Sequence, residues 1–318
     1  MRTLLLGLGF CLVAHGQQFI NVTQSSGLFS PGIGGLFPQP GAAWGDYDGD
    51  GTMDLFAPGG STQPVRLYLN QGGGTYLMSV IEPGVVGRVD NACISADVDN
   101  DGDQDVFLCR YANEPCRLWI NDGTGQFSEE AALRGLDFQG NAMCASFGDL
   151  DRDGDLDLLL SEYDLPSEHH VFANDGAGNF SDVTPQLSLN ANPALTFAAM
   201  ICDTDDDQWP DIVITTMGDG PTQILRNNAD GTFTDRAPAL NADPNILGMG
   251  ITIGDLGNDG DWDLFITNVN LHLLLEWDTA AGSYRFINTH WGVAQSYGAL
   301  GGFAWGCEFL DYDNDGLL

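Results

Sequence analysis

A loop of alternating aspartates recurs at a near-constant interval along this 318-residue chain. The clearest copies are DYDGDGTMD (Asp46 to Asp54), DVDNDGDQD (Asp97 to Asp105) and DLDRDGDLD (Asp149 to Asp157). DTDDDQWPD (Asp203 to Asp211) and DLGNDGDWD (Asp255 to Asp263) are looser, and DYDNDG opens a sixth copy at Asp311. The start-to-start steps are 51, 52, 54, 52 and 56 residues. Such a period belongs to repeat architectures, in which each repeat is one supersecondary unit and neighbours share a core. The chain is therefore expected to fold as stacked units carrying one loop each.

The loops have the grammar of a calcium site. Calcium takes roughly six to eight oxygens in flexible geometry. Aspartates at loop positions 1, 3 and 5 can turn inward, position 7 can offer its carbonyl, and position 9 can close the shell. The expected ligands are Asp46, Asp48, Asp50, Thr52 (carbonyl) and Asp54 in loop one, and Asp97, Asp99, Asp101, Asp103 (carbonyl) and Asp105 in loop two. Loop three supplies Asp149, Asp151, Asp153, Asp155 (carbonyl) and Asp157. Loop four keeps Asp203, Asp205, Asp207, Trp209 (carbonyl) and Asp211, but Gln208 replaces the glycine and Pro210 stiffens the exit. Loop five has Gly257 at position 3, leaving Asp255, Asp259, Asp261 (carbonyl) and Asp263; the sixth begins with Asp311, Asp313 and Asp315. Loops four and five are expected to bind more weakly than loops one to three. Without a cation, four clustered carboxylates repel one another. Magnesium prefers tighter octahedral geometry and keeps its waters, and zinc finds no Cys or His in the loops. An EF-hand does not fit, because position 12 holds Ala57, Leu108 and Leu160 where a bidentate Glu belongs.

Between loops the chain reads as strands. AAWG, CASFG, ITIG and FAWGCEFL precede loops; DLFA, DVFLC, DLLLS, DIVIT and DLFIT follow them. Third runs end at Asn70, Asn121, Asn174 and Asn227, and Gly-rich turns lead to fourth runs such as QFSEEA and NFSDVT. Four short strands per repeat without an amphipathic helix predict an all-β propeller of four-stranded blades, with each calcium loop between first and second strands. Five whole blades and a truncated sixth are expected. Gln18 to Thr23 (QFINVT) matches the fourth run YRFINT, predicting a strap that completes the last blade.

The succession AWGDYDGDGTMDLFA, RLYLN, Gly-rich turn and fourth strand resembles the FG-GAP/VCBS repeat family, which includes the integrin α-subunit propeller, across roughly residues 18 to 318. More narrowly, it is similar to the cartilage-acidic-protein and UnbV group of secreted propellers. The resemblance implies a propeller whose loops bind calcium through Asp46, Asp48, Asp50, Asp54 and their counterparts. The sixth unit lacks its later strands, so a fragment is expected.

Met1 to Gly16 reads as a secretory signal, with Arg2, an apolar run from Leu4 to Val13 and a small-x-small cleavage site. The remainder, 17–318, is then one propeller domain in an extracellular (or, in a bacterium, periplasmic) setting. Net charge is −35 and every basic residue is arginine, which argues against nucleic acid and anionic membranes as partners. About half of the acidic residues lie in the loops, and no stretch beyond the signal is long and apolar enough to span a membrane. Of the six remaining cysteines, Cys109 and Cys116 flank RYANEP and could form a local disulfide; Cys93, Cys144, Cys202 and Cys307 fall on first strands and read as buried thiols.

No nucleophile motif, HExxH or P-loop occurs. His169 and His170 begin a third strand, point to opposite faces and cannot easily share a metal, so they read as a solvated strand start. Glu162, Asp164 and Glu168 could line a ligand pocket, but a polar loop tip is the favoured reading. Trp44, Trp119, Trp262 and Trp305 could stack on sugars, although Trp44 and Trp305 precede their loops at matched places and read as inter-blade core. Two functions remain: a secreted binding or adhesion module for a protein or glycan, favoured because no catalytic constellation is visible, or the propeller domain of a polysaccharide-active hydrolase or lyase.

Overall fold

The computed structural model describes residues 21–28, 41–61, 63–84, 88–164, 168–187, 189, 195–269, 271–287, 306–311 and 316. The signal segment, Trp305, and Asp313 and Asp315 of the sixth loop lie outside them. Among these described residues, twenty strands follow in chain order. The first unit holds β1 (Ala43–Gly45), β2 (Asp54–Ala57), β3 (Val65–Asn70) and β4 (Tyr76–Glu82). The second holds β5 (Val89–Ala96), β6 (Asp105–Tyr111), β7 (Arg117–Asn121) and β8 (Phe127–Glu129). β9 (Ala142–Gly148), β10 (Asp157–Glu162), β11 (His169–Asn174) and β12 (Phe180–Asp182) form the third. β13 (Leu195–Cys202), β14 (Asp211–Pro221), β15 (Gln223–Asn227) and β16 (Phe233–Asp235) form the fourth, and β17 (Asn245–Gly254), β18 (Asp263–Asn268), β19 (Leu273–Asp278) and β20 (Ser283–Phe286) the fifth.

Each unit is an antiparallel sheet in sequential strand order, and each aspartate loop joins its first and second strands, as expected. First strands of consecutive units contact one another, β1 with β5, β5 with β9, β9 with β13 and β13 with β17. This is the inner arrangement of a propeller-like fold. The second strands are buried almost continuously, as in β6 and β10, because a neighbouring unit covers each face. The fourth strands β8, β12 and β16 are three residues long and read FSE, FSD and FTD. Short, acidic strands suit an exposed edge.

The core lies between units rather than within them. Phe56 and Leu67 pack with Val106, Leu108 and Trp119 of the next unit. Phe107 and Leu118 pack with Leu158, Leu160 and Phe172, and Leu159 and Val171 pack with Ile212, Ile214 and Leu225. The recurring third-strand asparagine adds a latch. Nδ2 of Asn121, Asn174 and Asn227 donates to the carbonyl of Tyr47, Val98 and Leu150, respectively, in the preceding unit's loop, at 2.9, 2.8 and 2.8 Å. Between units one and two a buried ion cluster serves the same end. Arg110 Nε donates to Asp90 Oδ1 at 2.9 Å while its Nη2 pairs with Glu82 of β4. Arg88 bonds both acids as well, at 3.1 to 3.2 Å.

Several expectations need correction. Units four and five are not separate: β14 runs on to Pro221 and pairs with β17 through Met217–Leu247 and Pro221–Asn245, giving one eight-stranded sheet. Single-turn helices α1 (Thr23–Ser26), α2 (Ala131–Arg134) and α3 (Thr184–Leu187) also occur. Thr23 therefore starts a helical turn instead of ending a strap; residues 18–20 of that strap lie outside the described residues. Gly27 follows α1 at φ 83° and meets the Tyr76 carbonyl at the start of β4, leaving only 3.0 Å for a Cβ. Gly135, which follows α2, lies in the same way against Phe180 at the start of β12.

Cys109 and Cys116 are fully buried free thiols in the core, not a disulfide. Burial raises the Cys109 thiol well above its ordinary value and the Cys116 thiol to about 12. Trp44 is 50% exposed, because strand alternation turns Ala43 and Gly45 inward and Trp44 outward. His169 is 4% exposed and its Nδ1 lies 2.9 Å from Ser161 Oγ; burial depresses its pKa to about 4. The pair is not a solvated strand start.

Candidate metal centres

The aspartate loops share one hydrogen-bonding scheme. The position 1 carboxylate accepts from the backbone N–H of position 6: Asp46 from Gly51 at 2.9 Å, Asp97 from Gly102 at 3.0 Å and Asp149 from Gly154 at 3.2 Å. Asp203 accepts from Gln208 at 2.8 Å, Asp255 from Gly260 at 3.0 Å, and Asp311 from Gly316 at 2.8 Å. The position 5 carboxylate accepts from position 7, as Asp50 does from Thr52 at 2.8 Å and Asp101 from Asp103 at 3.0 Å. These contacts curl the loops and, in loops one to four, bring three carboxylates together.

The position 9 aspartate has a second role, which spacing alone does not reveal. Asp54, Asp105, Asp157, Asp211 and Asp263 are at most 3% exposed. Each accepts the N–H of position 2 on one oxygen and that of the third-strand end on the other. For Asp105 the donors are Val98 at 3.1 Å and Asn121 at 2.9 Å; for Asp157 they are Leu150 at 3.0 Å and Asn174 at 3.1 Å. Burial outweighs these donors, pushing the Asp105 carboxyl up to about 7 and Asp157 to about 6. It also raises Asp54, Asp211 and Asp263.

Carboxylate oxygens gather within 4.8 Å of one another in four loops: Asp46, Asp48 and Asp50; Asp97, Asp99 and Asp101; Asp149, Asp151 and Asp157; and Asp203, Asp205 and Asp211. These groups could hold a metal ion. Position 9 belongs to the group in loops three and four but not in loops one and two, and Asp153 and Asp207 stand outside theirs. Among the described residues no such group forms in loop five, where Gly257 offers no carboxylate. Position 7 in loops one to five is placed by its backbone, as Thr52, Asp103, Asp155, Trp209 and Asp261 all donate their N–H to position 5. Asp46 Oδ1 and Asp99 Oδ1 are buried without a hydrogen-bond partner. Buried, unpaired carboxylate oxygens are costly, and an oxygen-seeking cation would satisfy them. The residues present therefore fit a hard divalent ion.

Loop four carries its own cation. Arg226 bonds Asp205 Oδ2 and Asp207 Oδ2, each at 2.7 Å, from the third strand, where loops one to three have Leu69, Ile120 and Ala173. Gln208 occupies the glycine position at φ 71°, a left-handed conformation that strains a residue with a Cβ. Replacing Arg226 with Gln removes the competing charge, so Arg226→Gln is expected to gain about one bound calcium at fixed free calcium. Equilibrium dialysis of the variant against the parent chain checks this; an unchanged count contradicts it.

The loops also touch one another through position 4. Asn100 Nδ2 donates to Asp155 at 3.0 Å, Arg152 lies 5.3 Å from the Trp209 ring centre, and Asp206 accepts from Trp262 Nε1 at 3.2 Å. Between loops four and five, Trp262 and Trp277 line a cleft with Asp205, Asp206 and Asp261. Trp262 is 38% exposed there, whereas Trp119 is buried at 7%.

A family model described as FG-GAP-like repeat matches residues 46–108, 97–160 and 203–266, together more than half of the chain. Cartilage acidic protein 1 of Mus musculus and of Homo sapiens is 24% and 25% identical over 173 and 174 residues, 52% of this chain in each case. The match covers 26% of each relative, so the chain spans about a quarter of the length of the curated relatives it matches. A crystal structure of a protein from Lactobacillus plantarum has a TM-score of 0.52 at 12% identity, covering 77% of this chain and 69% of that chain. At that identity the likeness concerns the fold alone.

Proposed function

The chain belongs to the FG-GAP-like repeat family, and from that membership we propose that it acts as a secreted, calcium-loaded propeller that binds a protein or glycan partner. The observation that carries this reading is the repetition of one carboxylate group in loop after loop, with buried oxygens left unpaired in the first two. Calcium would be held by Asp46, Asp48 and Asp50, by Asp97, Asp99 and Asp101, and by Asp149, Asp151 and Asp157, with weaker retention at Asp203, Asp205 and Asp211. When bound it supplies charge neutralisation, which lets the aspartate-rich edge keep one conformation. The consecutive four-stranded units would then be blades, and the loop opening at Asp311 would begin another.

The loop edge has the character of a recognition surface. Trp262 and Trp277 offer aromatic faces beside three carboxylates in the cleft between loops four and five. Aromatic faces cover the apolar side of a sugar ring while acids accept from its hydroxyls. Among the described residues no helix is long and apolar enough to cross a membrane. Screening on arrays of glycans and extracellular proteins, with calcium and with chelator, tests the reading. Retention that needs calcium and is lost in Trp262→Ala is expected. Retention indifferent to both, or no retention at all, contradicts it.

A further inference from the structure

We propose that the β10–β11 hairpin carries a second kind of metal site, for a zinc-like transition ion held by Glu162, Glu168 and His170. The hairpin joins the second and third strands of its unit, so it lies at the end opposite the aspartate loops. The strand register places three donors on one face. Ser161 pairs with His169, and the Glu162 N–H bonds the Glu168 carbonyl at 3.0 Å, so Glu162 and Glu168 stand directly across from each other. His170 lies two residues beyond Glu168 and returns to the same side of the strand. One ligand atom from each of the three lies within 4.8 Å of the others.

Two carboxylates directly opposite in an antiparallel ladder destabilise it unless a cation sits between them. His170 Nε2 is buried without a hydrogen-bond partner and stands 3.7 Å from Glu162 Oε2. That separation is too long for a hydrogen bond, yet close to the roughly 3.4 Å between two tetrahedral ligands of one zinc ion. The surroundings hold these groups in place. Phe138 packs against the imidazole at a tilt of 48°, with ring centres 4.7 Å apart. A Cβ on Gly140 would lie 2.0 Å from Glu162 Oε1, so the glycine leaves the carboxylate its place. His169 points to the other face, where Ser161 engages it, and takes no part.

The donor set separates this site from the loops. Calcium and magnesium seek oxygen, whereas an imidazole beside carboxylates suits zinc and its neighbours. Three protein ligands leave a fourth position open to water or to a partner's donor group. The site stands independently of the calcium reading, since none of its residues belongs to a loop. Titration calorimetry of the tag-free full chain with zinc, in excess calcium to occupy the loops, tests it. One equivalent of zinc is expected, lost in His170→Ala and in the near-isosteric Glu162→Gln, whose melts in calcium should match the parent. Cobalt in place of zinc should give visible absorption that vanishes in the same variants. No bound zinc in the parent, or an equivalent that survives both substitutions, overturns the proposal.

Discussion

Removing calcium should lower the melting temperature by more than about 10 °C. A ligand that binds only the folded chain adds about 2.7 kcal/mol per site at a hundred times its dissociation constant. Three occupied loops then contribute about 8 kcal/mol, and in a domain of this size each kcal/mol moves the midpoint by about 2 °C. The direction with pH should also reverse. In chelator, the raised carboxyls of Asp105, about 7, and Asp157, about 6, bind protons that the unfolded chain has released. The metal-free fold therefore gains stability as pH falls from about 8 toward 5, and loses it as pH rises through those values. In calcium the ionised form is the one bound, so acid weakens the complex. Calorimetric scans at two pH values, with calcium and with chelator, measure both effects. Overlaid scans would sink the calcium reading.

Substitution of Arg110 by Met should be the most damaging single change to the fold, costing about 3–5 kcal/mol. Arg110 and Asp90 are both completely buried, and Glu82 joins them from the neighbouring unit. Met keeps much of the volume but leaves Asp90 with Arg88 as its remaining cation. Because the cluster spans units one and two, the loss should act at their interface, where nearest-neighbour coupling carries the stability of a repeat array. Chemical denaturation in excess calcium reads the change, and a midpoint within error of the parent contradicts it. The paired replacement of Arg110 and Asp90 by apolar residues should recover part of the loss, since it strands no charge.

Features that repeat locally were legible from the residues alone. The aspartate spacing gave the loops, and β-rich runs between Gly-rich turns gave the strands, because each depends on a few adjacent residues. Long-range pairing was not legible. The asparagines at 121, 174 and 227 recur visibly, yet their bonds to Tyr47, Val98 and Leu150 cross to a preceding unit. Arg226 looks like an exposed strand residue until β15 lays it against Asp205 and Asp207. The double role of Asp105 and Asp157 needs the buried N–H groups of a third strand to be in place. Trp44 turns outward although Trp305 sits at a matched place, because position along the chain does not settle which face of a three-residue strand faces solvent.

The gathered carboxylates are proposed as calcium sites, ranked by their ligand sets. Calcium stoichiometry by equilibrium dialysis, for the parent chain and for Asp46→Ala, Asp97→Ala, Asp149→Ala and Asp255→Ala, tests this most directly. Each of the first three should lose about one tightly bound ion. Asp255→Ala should lose less, because Gly257 leaves loop five without a gathered group. Equal losses in all four, or no loss in the first three, would contradict the account.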